Sequence, residues 1–306
     1  MKHRLAIVLL ACSGLALFCL AAAAGPLRVV ATTTIVGDIV AIVGGEAIEL
    51  TTLFPEDADP HGFEPSPRDL VTLLNADLVF LSGAGLEEGL GPFLTDVLDR
   101  TVSLSEEAGI PLHDAEEDPT DDDHGLHDAV DPHVWFDPSY VEAWVNVIRT
   151  TLSRATPEEA NEFEDRAATY IAALEALDAW IMSQVERIPR EDRLLITDHA
   201  VFGYFADRYG FEQRGTILPG FSTLAEPSAR ELAELSDTIA DLAIPVLFVG
   251  KTVNPVIAEQ LAEDSGTKIV YLYTGSLSGP DGPAGSYIEL MRYDVLAIVE
   301  GLMQSP

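Results

Sequence analysis

Three histidines stand in settings that suit metal chemistry. His61 lies in Asp59-Pro60-His61-Gly62-Phe63-Glu64-Pro65, His133 in Asp131-Pro132-His133-Val134-Trp135-Phe136-Asp137-Pro138, and His199 in Thr197-Asp198-His199. The triplet Asp-Pro-His therefore occurs twice. A proline before the histidine fixes the local backbone and limits how far the imidazole wanders. That suits a metal ligand, because zinc takes neutral nitrogen at short, narrowly defined distances. A neighbouring carboxylate can accept the other ring N–H and fix the tautomer. Asp59, Glu64, Asp131, Asp137 and Asp198 are the nearest in sequence. A single loop histidine reads more simply as bonded to backbone; three at comparable loop positions favour a shared ligand.

A second group of histidines differs in character. Residues 113–131 hold His113, His124 and His127 with nine acids and no aromatic residue. No core-forming pattern is present, so a mobile loop is expected. Two readings stand: a solvated acidic stretch, or a weak, exchanging collector of divalent metal, since imidazole with carboxylate suits such ions. Other chemistries find little support. Residues 83–89 lack the last glycine of a dinucleotide loop and carry acids where phosphate would lie, and no H-E-x-x-H or G-x-S-x-G segment is present.

The elements that must position these residues follow an alternating pattern. Strand-like runs at 27–34, 48–54 and 78–82 alternate with helical runs at 35–43 and 67–75, and residues 83–99 contain a further helix. The same order returns at 193–303, with strands near 193–197, 213–218, 245–249 and 268–273 and helices between and after them. Such βαβα order predicts parallel sheets covered by helices. No sequence repeat relates the two halves. Between them, residues 157–188 contain no glycine, and Phe163, Ala167, Tyr170, Leu174, Leu177 and Ile181 recur at helical spacing. Thr156 and Pro157 suit the N-cap and first position. This segment reads as a rigid strut joining two lobes, or as a core helix of one. The expected fold is α/β, two βα lobes with parallel sheets joined by one long rigid helix: lobes at 25–156 and 189–306, helix at 157–188. Ligands of open α/β sheets bind beyond the carboxyl ends of the strands, which is where His61 and His199 fall.

Composition narrows the function further. The chain has 306 residues, 47% hydrophobic and 22% charged, ordinary globular values. Seventeen basic against 51 acidic residues give a net charge of −34. Such a surface repels phosphate backbones and argues against nucleic acid, while remaining compatible with cations. Residues 1–24 read as a signal peptide: Lys2 and Arg4, an apolar run, then Ala22-Ala23-Ala24. A membrane anchor is the competing reading. Leu9-Leu10-Ala11-Cys12 resembles a lipoprotein cleavage box, but the apolar run before Cys12 is short. Both cysteines, Cys12 and Cys19, lie in this segment. The mature chain then has no thiol for a disulfide, a metal or a nucleophile.

Taken together, these motifs resemble the zinc/manganese class of periplasmic solute-binding proteins that serve ABC-type metal importers. The resemblance runs from Leu27 to Met303 and includes Val30 to Ile35 (VATTTI), the segments around His61, His133 and His199, Glu226-Pro227-Ser228, Asn254-Pro255 and Tyr287 to Asp294. It implies a metal site in the interlobe cleft, with His61 and His133 from the first lobe and His199 from the second. Histidine at the third position and a His/Asp-rich loop are associated with zinc members, so Zn2+ is the implied cargo. The family usually places an aspartate after the last strand; here Gly275 stands there, in Thr274-Gly275-Ser276-Leu277. Asp281, or a water, is the substitute for that fourth ligand, although Pro280-Asp281-Gly282 also reads as an ordinary turn.

The implied function is high-affinity capture of zinc in the periplasm and its delivery to an ABC permease of the inner membrane, with a metallochaperone as a further partner and a monomer as the expected state. Three alternatives belong beside it. A manganese- or iron-binding homologue would share the fold. A metal-dependent adhesin would hold its ion as a structural element. A zinc hydrolase would also use three histidines and a water, but it needs a general base beside the water, and no base motif adjoins a ligand.

Overall fold

The structure, a computed structural model, describes residues 25–114 and 130–303. The expected leader and residues 115–129 of the acidic loop lie outside the described residues. In the first half the elements are β1 (Leu27–Ala31), α1 (Thr34–Gly44), β2 (Ile48–Thr52), α2 (Pro67–Asn75), β3 (Leu78–Leu81), α3 (Gly91–Leu94), β4 (Thr101–Ser103), α4 (Leu104–Glu107) and α5 (Pro138–Ala155). Helix α6 (Ala160–Val185) follows. The second half comprises β5 (Leu194–Thr197), α7 (Gly203–Tyr209), β6 (Glu212–Thr216), α8 (Ala229–Asp241), β7 (Val246–Gly250), α9 (Val256–Ser265), β8 (Lys268–Leu272) and α10 (Tyr287–Met303).

Both sheets are wholly parallel, in the orders β2-β1-β3-β4 and β6-β5-β7-β8. The two halves thus follow the same strand order, a repeat of topology that the recurring βα pattern carries without a residue-level sequence repeat. In each sheet the first strand has neighbours reached by crossovers in opposite directions, which opens a crevice at its carboxyl end. Local signals set the helix starts. Ser66 caps α2 and Ser228 caps α8, each in a reciprocal pair with the acid three residues on, Asp69 and Glu231.

The long helix differs from expectation at its start. Residues Pro157–Glu159 form a 3-10 turn, the Thr156 side chain makes no capping bond, and the α-helix begins at Ala160. Its 26 residues span ~39 Å. Phe163, Ala167, Tyr170, Leu174, Leu177, Ile181 and Val185 are its buried face, the stripe expected from spacing. Helix α5 packs extensively along it, although no element was expected at 138–155.

Among the described residues three apolar clusters form the core. The central one contains the α6 stripe with Ile35 and Phe80 of the first half and Phe248 and Leu272 of the second. The linking helix is therefore both strut and core. A peripheral cluster on the first sheet contains Val30, Leu53, Phe54 and Leu90, with Phe63 packed on it. Another on the second sheet contains Ile196, Leu247 and Val249. Among the described residues no helix is long and apolar enough to cross a membrane.

Candidate metal centre

His199 is placed by strand β5. Just beyond that strand, Asp198 donates its N–H to Phe248 O of β7 at 3.1 Å, and its Oδ2 accepts Gly250 N–H at 2.5 Å. Asp198 Oδ1 accepts both the backbone N–H of His199 at 2.7 Å and the ring Nδ1 at 2.6 Å. His133 is held in the same manner. Asp131 Oδ1 meets its backbone N–H at 2.9 Å and its Nδ1 at 2.7 Å. The next residues, Val134–Phe136, make a 3-10 turn, and Asp137 caps α5 through Ser139 N. His61 comes from the loop after β2, where Asp59 Oδ1 accepts its backbone N–H at 3.1 Å.

These three loops converge. His133 Nε2 lies 3.2 Å from His61 Nε2 and 3.2 Å from His199 Nε2. All three ligand atoms fall within 4.8 Å of one another. His133 and His199 are buried and His61 is half-buried. Burial, aided by the charges of the other two rings, lowers His61 to about 2, and burial carries His133 well below the ordinary histidine range. Burial pushes Asp131 up to about 7. Burial also raises Asp198, but His199 and the backbone N–H groups of Gly250 and His199 outweigh it and hold Asp198 below the usual carboxylate range. An ionised Asp198 takes the Nδ1–H of His199 and leaves its Nε2 a bare lone pair. Lone pairs facing one another at this range repel unless a proton or a cation lies between them.

The structure treats the expected residues unequally. His61, His133 and His199 come together. Asp281 does not: it is exposed, and Gly282 N–H bonds to Gly279 O at 2.8 Å, closing the turn that carries it. Pro280-Asp281-Gly282 folds as the local turn that the sequence also allowed, and its carboxylate is not among the donors gathered here. Gly275 does lie at the cleft, and a Cβ there would be 2.7 Å from Pro60 Cδ, beside His61. Glycine is required by this close approach, so the position cannot hold an aspartate without displacing Pro60. His113 stacks on Tyr204 with centroids 4.1 Å apart, its Nε2 3.4 Å from Asp207. His124 and His127 lie outside the described residues. Of the carboxylates near in sequence, Asp131 and Asp198 touch imidazole. Of the residues that brace the site, Tyr287 opens a segment that carries the family resemblance and Tyr204 follows His199 closely, whereas Arg208 and Thr223 carry no sequence signal.

Comparison with known proteins identifies the family. A family model described as zinc-uptake complex component A, periplasmic (ZnuA) matches residues 29–301. The chain belongs to this family. The ZnuA-family chain is 31% identical over 281 residues to the manganese-binding lipoprotein MntA of Halalkalibacterium halodurans, covering 91% of this chain and 89% of that protein. It is 30% identical over 278 residues to the iron-binding protein YfeA of Yersinia pestis, covering 90% and 86%. Among solved structures, the periplasmic zinc-binding protein TroA of Treponema pallidum superposes with a TM-score of 0.83 at 28% identity, covering 91% of this chain and 99% of that one. Family membership makes a metal ion the cargo, and the relatives' names divide over which one.

Proposed function

We propose that the protein captures zinc outside the cytoplasm and delivers it to an ABC-type permease of the inner membrane, with His61, His133 and His199 as ligands and a water in the fourth position. The observation that carries this reading is the spacing of the donor atoms. Zinc–nitrogen bonds of about 2.0–2.1 Å at tetrahedral angles put neighbouring nitrogens about 3.3 Å apart, and the two contacts here are 3.2 Å. Three neutral imidazoles suit zinc better than manganese, which favours oxygen donors. The second reading is manganese or iron, favoured by the names of MntA and YfeA. Residues 1–24 act as the export signal in this proposal. A lipid-anchored form through Cys12 is the alternative, and the mass of the mature N-terminus separates the two.

Metal analysis of protein purified without added metal, followed by competition with a zinc chelator, tests the cargo. Each single His→Ala variant at the three positions should lose more zinc affinity than the ~10–100-fold typical of losing a ligand's supporting partner. A triple alanine variant that folds and keeps zinc affinity overturns the assignment. Tighter retention of manganese than zinc by the wild type favours the second reading.

A further inference from the structure

Chain order assigns His61 and His133 to the first sheet and His199 to the second. The contacts divide them differently. We propose that Tyr204, Arg208 and Tyr287 are positioning residues that fasten the His133 segment to the central core that also carries His199, so that His61 alone rides on a loop outside that core. This rests on the three histidines being the ligands.

The His133 segment is bolted from the second half of the chain. Tyr204 of α7 donates its hydroxyl to Asp131 O at 2.8 Å and accepts His113 N–H at 3.1 Å. Tyr287 of α10 donates to Trp135 O at 2.6 Å. Arg208 is held bidentate by Asp178 of α6, with both bonds at 2.7 Å, and reaches Asp137 Oδ1 and Ser139 Oγ at 3.3 Å each. Phe136 lies 4.5 Å from Phe202, ring to ring. Val134, Trp135 and Phe136 share the central cluster with Val201, Phe202 and Tyr204. His133 and His199 are thus anchored in one core, through buried groups.

His61 is anchored elsewhere. Phe63 stacks on Phe54 with centroids 4.0 Å apart, within the first sheet's peripheral cluster. A Cβ on Gly89 would collide with the Phe63 carbonyl, so this loop rests directly on the first sheet's own turn. Across the cleft it makes loop-to-loop contacts: Asp57 N–H to Ser276 Oγ at 3.0 Å, Thr223 Oγ1 to Asp59 Oδ2 at 2.5 Å, and Pro60 against Gly275. Closely packed cores move as units while such loops open at lower free energy. A metal ion would then meet a preformed His133–His199 pair and be capped by His61.

Hydrogen–deuterium exchange on the full chain, metal-free and with zinc chloride as probe, tests this. In the metal-free wild type, residues 133–137 should exchange as slowly as 198–202. Zinc should slow 57–63 by ~10-fold or more and change 133–137 by less than ~2-fold. Tyr204→Phe, which removes one hydroxyl, should speed exchange at 133–137 by ~10-fold without zinc and leave 57–63 unchanged. Arg208→Gln serves as the second variant should Tyr204→Phe not fold. Zinc protection of 133–137 as large as that of 57–63, or wild-type exchange there in the folded Tyr204→Phe variant, overturns the division. Zinc that protects none of the segments instead sinks the ligand assignment, while the metal-free comparison still decides the division.

Discussion

Gly275 lets two loops touch where a carboxylate would otherwise stand. Its Cα packs against Pro60, one residue from His61, with room for hydrogen and little else. Gly275→Asp should therefore weaken zinc binding rather than complete the coordination shell, because Pro60 and with it His61 must move. Overpacking of this kind costs about 1–3 kcal/mol, so a loss of ~5-fold or more in affinity is expected by chelator competition. Gly275→Ala should show most of the effect, which separates steric from charge causes. Asp281→Ala should leave affinity within ~2-fold, since its turn is exposed; a larger loss would restore it as a ligand. The histidines themselves were legible from residue type and flanking prolines. Their convergence was not, because no spacing rule connects positions 72 and 66 residues apart. Nor was the clash at Gly275, which depends on the approach of two loops from different sheets.

Helix α1 and helix α10 meet at Asp38, whose Oδ2 accepts the N–H of Tyr287 at 2.9 Å. Burial pushes this half-buried carboxyl up to about 6, against 3.8 unperturbed. The folded protein therefore binds a proton more tightly than the unfolded chain between these values. Stability from this group is present at low pH, falls as pH rises through the window, and stays reduced above about 6. Asp38→Asn keeps the acceptor for Tyr287 and removes the penalty. It should raise unfolding free energy at pH 7.5 by on the order of 1 kcal/mol, discounted for partial solvent access, with the gain fading by pH 4. Denaturant curves at the two pH values read the difference directly; an equal gain at both would refute the burial account. On the strut, Leu174 is fully buried in the central cluster, and Leu174→Ala should cost about 2–5 kcal/mol. The α6 stripe was readable because a helix carries its buried face at fixed intervals. Helix α5 bears the same signals, Asp137 as cap, Pro138 at the first turn, and buried Val141, Trp144, Val145, Ile148 and Leu152, and was recoverable from them. Strand β4 was not: three half-buried residues, Thr101–Ser103, carry too little pattern to stand apart from the preceding turn.

At the scale of the whole molecule, the two ends of the acidic loop are held together. Asp114 pairs antiparallel with Val130, Asp131 N–H bonds to His113 O at 2.8 Å, and the Tyr204 hydroxyl bridges both sides. Replacing residues 115–129 by a short Gly-Ser linker should leave the equilibrium affinity for zinc within ~3-fold, because the pinch holds Asp131 and His133 without the loop. Capture of zinc from a weak donor should slow in stopped-flow mixing if the loop collects ions, and an unchanged rate would leave it as a solvated stretch. The same pinch has a consequence for how the chain can be divided. The backbone leaves the described body at Asp114 and re-enters it at the paired Val130, so a break between these two residues severs no element among the described residues. The pieces on either side, ending at Asp114 and beginning at Val130, each contribute to the central cluster. Expressed as two separate polypeptides, they should find each other and reassemble, giving a split protein whose halves join through the buried core rather than through a covalent bond.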